Sequence, residues 1–240
     1  NVKQKHFIDA PAGKMFTESM KNIGHTIRNI CGNKGMLFFI LAYFCYIDGV
    51  GTVIHMSTSY GQTIGLDSVG MILALLVTQL VAVPCSIAFS HIAGKAGAIR
   101  MILAAIGVYV VICCVGFYMG FSVEQVEGAA QEVQQQAVAR QVLFWIMAVL
   151  VGCVQGGIQA LSRSYFSKLV PPAQSNEYFS FFDILGKFAT IMGPALMAFF
   201  KDITGRNSIG ILSIILLFFL GAVLLLVGKK HFVREELTQK

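Results

Sequence analysis

Six long apolar runs dominate the sequence, and no other feature constrains its fold as tightly. They cover Met36–Tyr60, Val69–Ile92, Met101–Phe121, Val142–Leu161, Tyr178–Phe200 and Ile209–Val227. Each is roughly 19–25 residues long, enough for a helix to cross a hydrocarbon core about 30 Å thick. Inside lipid every backbone N–H and C=O must be paired within the protein, so such runs fold as helices. Composition agrees: 56% of the residues are hydrophobic and 12% carry a charge, where a soluble globular protein has about 25% charged. A soluble domain, a disordered chain and a coiled coil are thereby excluded. The formal charge is +6, but the basic residues form short clusters between apolar runs, so no nucleic-acid partner is expected. Cys45, Cys85, Cys113, Cys114 and Cys153 all lie within the runs and none makes a CxxC pair. They read as small core or lipid-facing residues. No nucleotide-binding motif is present, and neither a cofactor nor a metal is expected.

The charges between the runs give a topology. An even number of spans puts both termini on one side. Of the 18 basic residues, Arg140, Lys201 and Arg206 fall on one face, Lys187 lies inside a span, and the others fall on the opposite face. The positive-inside rule makes that opposite face, with both termini, cytoplasmic. Residues 1–35 read as a basic cytoplasmic segment containing Lys3, Lys5, Lys14, Lys21, Arg28 and Lys34. They do not read as a signal peptide, because their apolar stretches are short and the first span comes late. The chain opens on Asn1, and an upstream part is expected. Residues 36–228 form the transmembrane domain, and 229–240 are expected to be a cytoplasmic tail. The stretch Ser122–Gln141 is rich in Ala, Gln and Glu, so helices three and four are expected to extend beyond the membrane.

An internal repeat divides the domain. Pro84 is followed by Ala88, Phe89, Ile92, Gly94 and Lys95, and Pro194 by Ala198, Phe199, Ile203, Gly205 and Arg206. Asp48-Gly49 in span one is matched by Gln155-Gly156 in span four. The copies, 36–121 and 142–227, lie three spans apart. Three is odd, so they have opposite orientations: a 3+3 inverted repeat, an architecture typical of transporters.

Three strings carry a family resemblance: LAYFCYIDGVGTVI (Leu41–Ile54), VGCVQGGIQALSRSYFSKLVPP (Val151–Pro172) and NEYFSFFDILGKFATIMGP (Asn176–Pro194). They resemble the vacuole-effluxer-like branch of the major facilitator superfamily, the autophagy-related amino-acid effluxers. The resemblance runs from about Thr26 to the last span. It implies that the chain is the C-terminal half of a twelve-span transporter, with residues 1–35 linking the halves. It also implies that the first helix of each repeat lines the pathway. The turn Ser90–Arg100 is similar to a degraded cytoplasmic gating motif, with Lys95, Gly97 and Arg100 at its basic and glycine positions. Ser90 and Gly94 replace its first Gly and its Asp, so a simple basic turn is an equal reading.

Polar groups inside the spans mark candidate sites. A charge in hydrocarbon costs roughly 2.5–3.5 kcal/mol even on insertion scales. Asp48, Thr52 and His55 lie in span one, Gln79 in span two, Gln155 and Gln159 in span four, and Asp183 and Lys187 in span five. Spans three and six carry no charge and no amide. They are expected to face lipid, while the other four surround a polar cavity or meet a partner. Asp48 and Lys187 sit at depths of about 18 and 14 Å from the cytoplasmic edge and are candidates to pair. Asp183, one turn before Lys187, is the rival partner and would make a structural ion pair. Asp48 reads as a proton or substrate-amine site, with a carboxylate bonded between helices as the alternative. His55 lies near the outer end of its span, where an interfacial role is the stronger reading. Arg163 ends span four and is grouped with the gating loop as an anchor. Gly193-Pro194 is an expected kink, because proline removes a backbone bond.

The expected function is secondary active transport of a small polar solute, with amino acids implied by the resemblance. The chain is then a multi-pass protein, expected in the cell membrane. Its partners are membrane lipid, a small-molecule substrate, and either a missing N-terminal half or a second copy of itself. A membrane-embedded enzyme such as an intramembrane protease is the competing class. It would need a serine facing a histidine, whereas Ser162 and Ser164 lie toward one face and His55 toward the other.

Overall fold

The computed structural model of the chain describes Gly24 and residues 27–125, 130–171 and 174–238. Lys3, Lys5, Lys14, Lys21, Glu127 and Lys240 lie outside the described residues. The helices are α1 (Lys34–Thr63), α2 (Ser68–Ala96), α3 (Ala98–Gln125), α4 (Ala130–Leu169), α5 (Ser175–Thr204) and α6 (Asn207–Thr238). All six are long and apolar enough to cross a membrane, and the described residues contain no strand. The chain is an all-α, multi-pass integral membrane protein.

Local chemistry sets the helix ends. The Asn33 side chain accepts the Met36 N–H at 3.1 Å, and the Asp67 carboxylate accepts the Gly70 N–H at 2.6 Å. Each satisfies a donor that a helix start leaves without a partner. α5 ends at Gly205, whose φ of 67° suits only a residue without Cβ. Gly97, with φ 93°, turns the chain from α2 into α3.

The helices outrun the apolar runs. α4 extends on both sides of Val142–Leu161, matching the expectation from the polar stretch before it. α6 continues through the segment read as a tail. Phe232 is fully buried there, meeting Phe39 edge-on with ring centroids 6.0 Å apart. Hydropathy marks where lipid ends, while a helix continues as long as its next turn finds something to pack on.

The packing forms two layers. α2, α4, α1 and α5 lie side by side in that order as a front layer, and α3 and α6 pack together behind it. Exchanging α1 with α4, α2 with α5 and α3 with α6 maps the α2–α4 contact onto α5–α1 and the α1–α6 contact onto α4–α3. That exchange symmetry is the one a 3+3 repeat requires. Glycines permit the close approaches. Gly156 abuts Ser86 between α4 and α2, and Gly49 abuts Phe218 between α1 and α6. α1 is the most buried of the spans and α2 the least, with α5 next. Leu80 of α2 is 74% exposed and Phe188 of α5 59% exposed, both apolar.

Candidate functional site

The residues expected to form a pathway divide between the α1–α5 contact, an internal cavity and the front face. Asp48 belongs to the first. It is fully buried, and neither carboxylate oxygen has a hydrogen-bond partner. Its side chain faces the Gly193 backbone of α5. One turn on, the Thr52 hydroxyl donates to the Asp48 carbonyl at 2.7 Å. A Cβ at Gly193 would collide with the Thr52 hydroxyl. Gly193 thus lets α5 close onto α1 at the depth of Asp48, beside Pro194, which leaves the α5 backbone one hydrogen bond short.

The expected ion pairs are not the ones formed. Among the described residues the salt bridge joins Arg163 of α4 to Asp183 of α5, at 3.0 Å. Lys187 is exposed and pairs with neither Asp183 nor Asp48. Geometry explains the choice. Asp183 and Lys187 sit one turn apart on an exposed face, where such pairs contribute only about 0.3–0.5 kcal/mol. Arg163 reaches Asp183 across the groove over α1 and also lies over the Phe179 ring, 5.7 Å from its centroid. A guanidinium satisfies carboxylate and ring together, which an ammonium does less well. Arg163 therefore leaves the gating-loop group in which the sequence placed it. Lys95, Gly97 and Arg100 do share the exposed α2–α3 turn.

Thr52, Gln79 and Gln155 meet around a cavity of about 90 Å³ that draws lining residues from all six helices. The Gln155 carbonyl oxygen is buried without a hydrogen-bond partner. Thr78, at the same cavity, satisfies its hydroxyl by donating to the Ala74 and Ala148 carbonyls at 2.9 and 3.1 Å. Gln159 instead faces outward on α4, one turn before Arg163. His55 is exposed on α1.

Two features escaped sequence reasoning. The Ser162 hydroxyl donates to the Ile158 carbonyl at 2.6 Å. The Tyr46 hydroxyl, 2.6 Å from Ser162 Oγ, then serves as donor to it. That bond ties α1 to α4 and engages the serine that the enzyme reading would need. Beside it, Tyr43 stacks on Phe182 at 3.9 Å and Phe166 on Phe182 at 4.5 Å. Tyr43 and Tyr46 occur three residues apart, the spacing of one helix face, but nothing in the sequence named their partners.

Comparison with known proteins adds to this geometry. The family model described as "Vacuole effluxer Atg22 like" matches residues 3–236. The MFS-type transporter YxiO of Bacillus subtilis is 40% identical over 98% of this chain and 49% of its own length. Autophagy-related protein 22-1 of Emericella nidulans is 24% identical over 78% of this chain and 31% of its own length. Autophagy-related protein 22 of Kluyveromyces lactis is 23% identical over 84% of this chain and 40% of its own length. The chain thus spans half or less of the length of these relatives.

Proposed function

The chain belongs to the vacuole effluxer Atg22-like family, and on that premise we propose that it forms one half of a secondary active transporter for amino acids. The observation that carries the reading is Asp48: a carboxylate buried at mid-span without a hydrogen-bond partner, where two front helices meet. Such a group is costly to hold in a membrane and is ordinarily retained for function. Proton binding at Asp48 neutralises it, and proton release restores a charge that the α1–α5 contact cannot accommodate. Gly193 and Pro194 give α5 the freedom to respond. Proton occupancy is in this way coupled to the packing of the front layer, which is what gradient-driven alternating access requires.

The solute pathway runs along the front layer. Gln155, Gln159 and Arg163 recur at one-turn spacing on α4, and Asp183 and Lys187 do so on α5. Thr52 and Gln79 reach the pathway from the internal cavity, and His55 lies at its outer end. The basic α2–α3 turn, with Lys95, Gly97 and Arg100, serves as the cytoplasmic gate. Residues 36–121 and 142–227 act as the two inverted units. A second six-helix half covers the front, and the relatives' greater length favours it over a second copy of this chain. The protein resides in the cell membrane with both termini in the cytoplasm.

The test is uptake by the full-length transporter in proteoliposomes, screened over the twenty standard L-amino acids with an imposed proton gradient. Accumulation of at least one amino acid, abolished by a protonophore, is the expected result. Absence of uptake for all of them would overturn the substrate class, and uptake indifferent to the protonophore would overturn the coupling.

A further inference from the structure

We infer that Arg163 and Asp183 recognise the two charges of the solute, the guanidinium taking its carboxylate and the aspartate its ammonium. The inference rests on the transport reading above and assigns the residues that select the substrate.

The pair joins α4 to α5 at 3.0 Å, with the two side chains 58% and 48% exposed. Those helices flank α1 in the front layer and meet beside the bridge through Phe166 and Phe182, whose rings stack at 4.5 Å, so the bridge lies over that contact in the groove on the front face. Exposed ion pairs hold folds only weakly. Fold stability is thus a poor reason for this pair to be here. Its surroundings suit a ligand better. Tyr43, beneath the groove, stacks on Phe182 at 3.9 Å, and Phe179 backs the guanidinium. Tyr43 and Phe182 are themselves buried, so the half-buried Phe179 is the ring at the surface beside the two opposite charges.

A ligand with one charge would free one member of the pair and leave the other without a counter-charge. A zwitterion exchanges like for like. Its carboxylate replaces Asp183 on the Arg163 fork, its ammonium replaces Arg163 on Asp183, and the net charge of the groove stays the same. The bidentate geometry of guanidinium with carboxylate fixes the ligand's orientation. The empty groove is closed by the ion pair, and the filled one is bridged by the solute.

The experiment uses the full-length transporter in proteoliposomes. The probes are the L-amino acids it accumulates, their amides and the corresponding 2-hydroxy acids. The wild type is expected to take the zwitterion and to show a KM at least ~10-fold higher for both analogues. Asp183→Asn should raise the zwitterion KM by ~10-fold or more and erase the discrimination against the 2-hydroxy acid. Arg163→Gln should do the same for the amide. Arg163→Asp/Asp183→Arg rebuilds the bridge with its charges reversed, and its KM should stay raised. Restoration of the wild-type KM in that double variant would show a mere latch and overturn the inference, as would single variants with unchanged KM. Should the neutral variants fail to accumulate in the membrane, Arg163→Lys and Asp183→Glu decide. A raised KM at unchanged kcat supports recognition, and a lower yield at unchanged KM contradicts it. A wild type that accumulates other solutes but no zwitterion refutes this inference and leaves transport standing. A wild type that accumulates nothing refutes both.

Discussion

Asp48 stands out in the sequence because one carboxylate interrupts a long apolar run. Its partner does not, because helix rotation decides it and only packing fixes rotation. The buried carboxyl faces the Gly193 backbone, while the expected Lys187 points outward. Asp48→Asn keeps the shape and removes the titration. Proton-driven accumulation by the full-length transporter should collapse to passive equilibration, while counterflow exchange and protein yield persist. Accumulation at the wild-type level would make Asp48 a packing group. Gly193 gives an independent check of the same contact. Gly193→Val thrusts a branched side chain at the Thr52 hydroxyl. It should destabilise the protein by about 1–3 kcal/mol, read as a lower midpoint of thermal unfolding in detergent. An unchanged midpoint would mean that α1 and α5 do not meet there. Asp183 shows the same limit of sequence reasoning. Spacing along one helix offered Lys187, and the fold supplied Arg163 from another helix.

The elements themselves are written in hydropathy. Each apolar run became a helix, and the capping residues Asn33 and Asp67 stand where their helices begin. Their lengths were not legible, since a helix beyond the lipid survives on contacts that hydropathy does not see. α6 is the clearest case. Its last turns carry Lys229 and Lys230, yet Phe232 is buried against Phe39 and Tyr165. Phe232→Ala should then cost about 3 kcal/mol, measured by thermal unfolding of the full-length transporter. Indifference to that substitution would show the extension to be unpacked. The Tyr46–Ser162 bond joins α1 to α4 at the same end of the bundle. Tyr46→Phe removes a buried donor, and a loss of about 1 kcal/mol is expected.

At the scale of the molecule, the repeat around Pro84 and Pro194 announced the symmetry that the packing obeys. Spans three and six, without charge or amide, lie behind the front layer, yet they do not only face lipid: Ile112 and Ile211 help to line the internal cavity. Neither the repeat nor the missing charges revealed how deeply α1 is held, because burial of the central helix depends on aromatic contacts from α4, α5 and α6. On the transport reading proposed above, the α2–α4–α1–α5 layer closes against a second six-helix half. Disulfide cross-linking in the full-length transporter tests it most directly. All native cysteines are first replaced, and a second cysteine is scanned through the spans of the other half. Leu80→Cys and Phe188→Cys lie on the outer members of the front layer, and Val111→Cys and Phe219→Cys lie on the back, all at positions exposed in this half. Cross-links to the other half are expected from positions 80 and 188 and none from 111 and 219. Cross-links from 111 and 219, with none from 80 and 188, would contradict that reading.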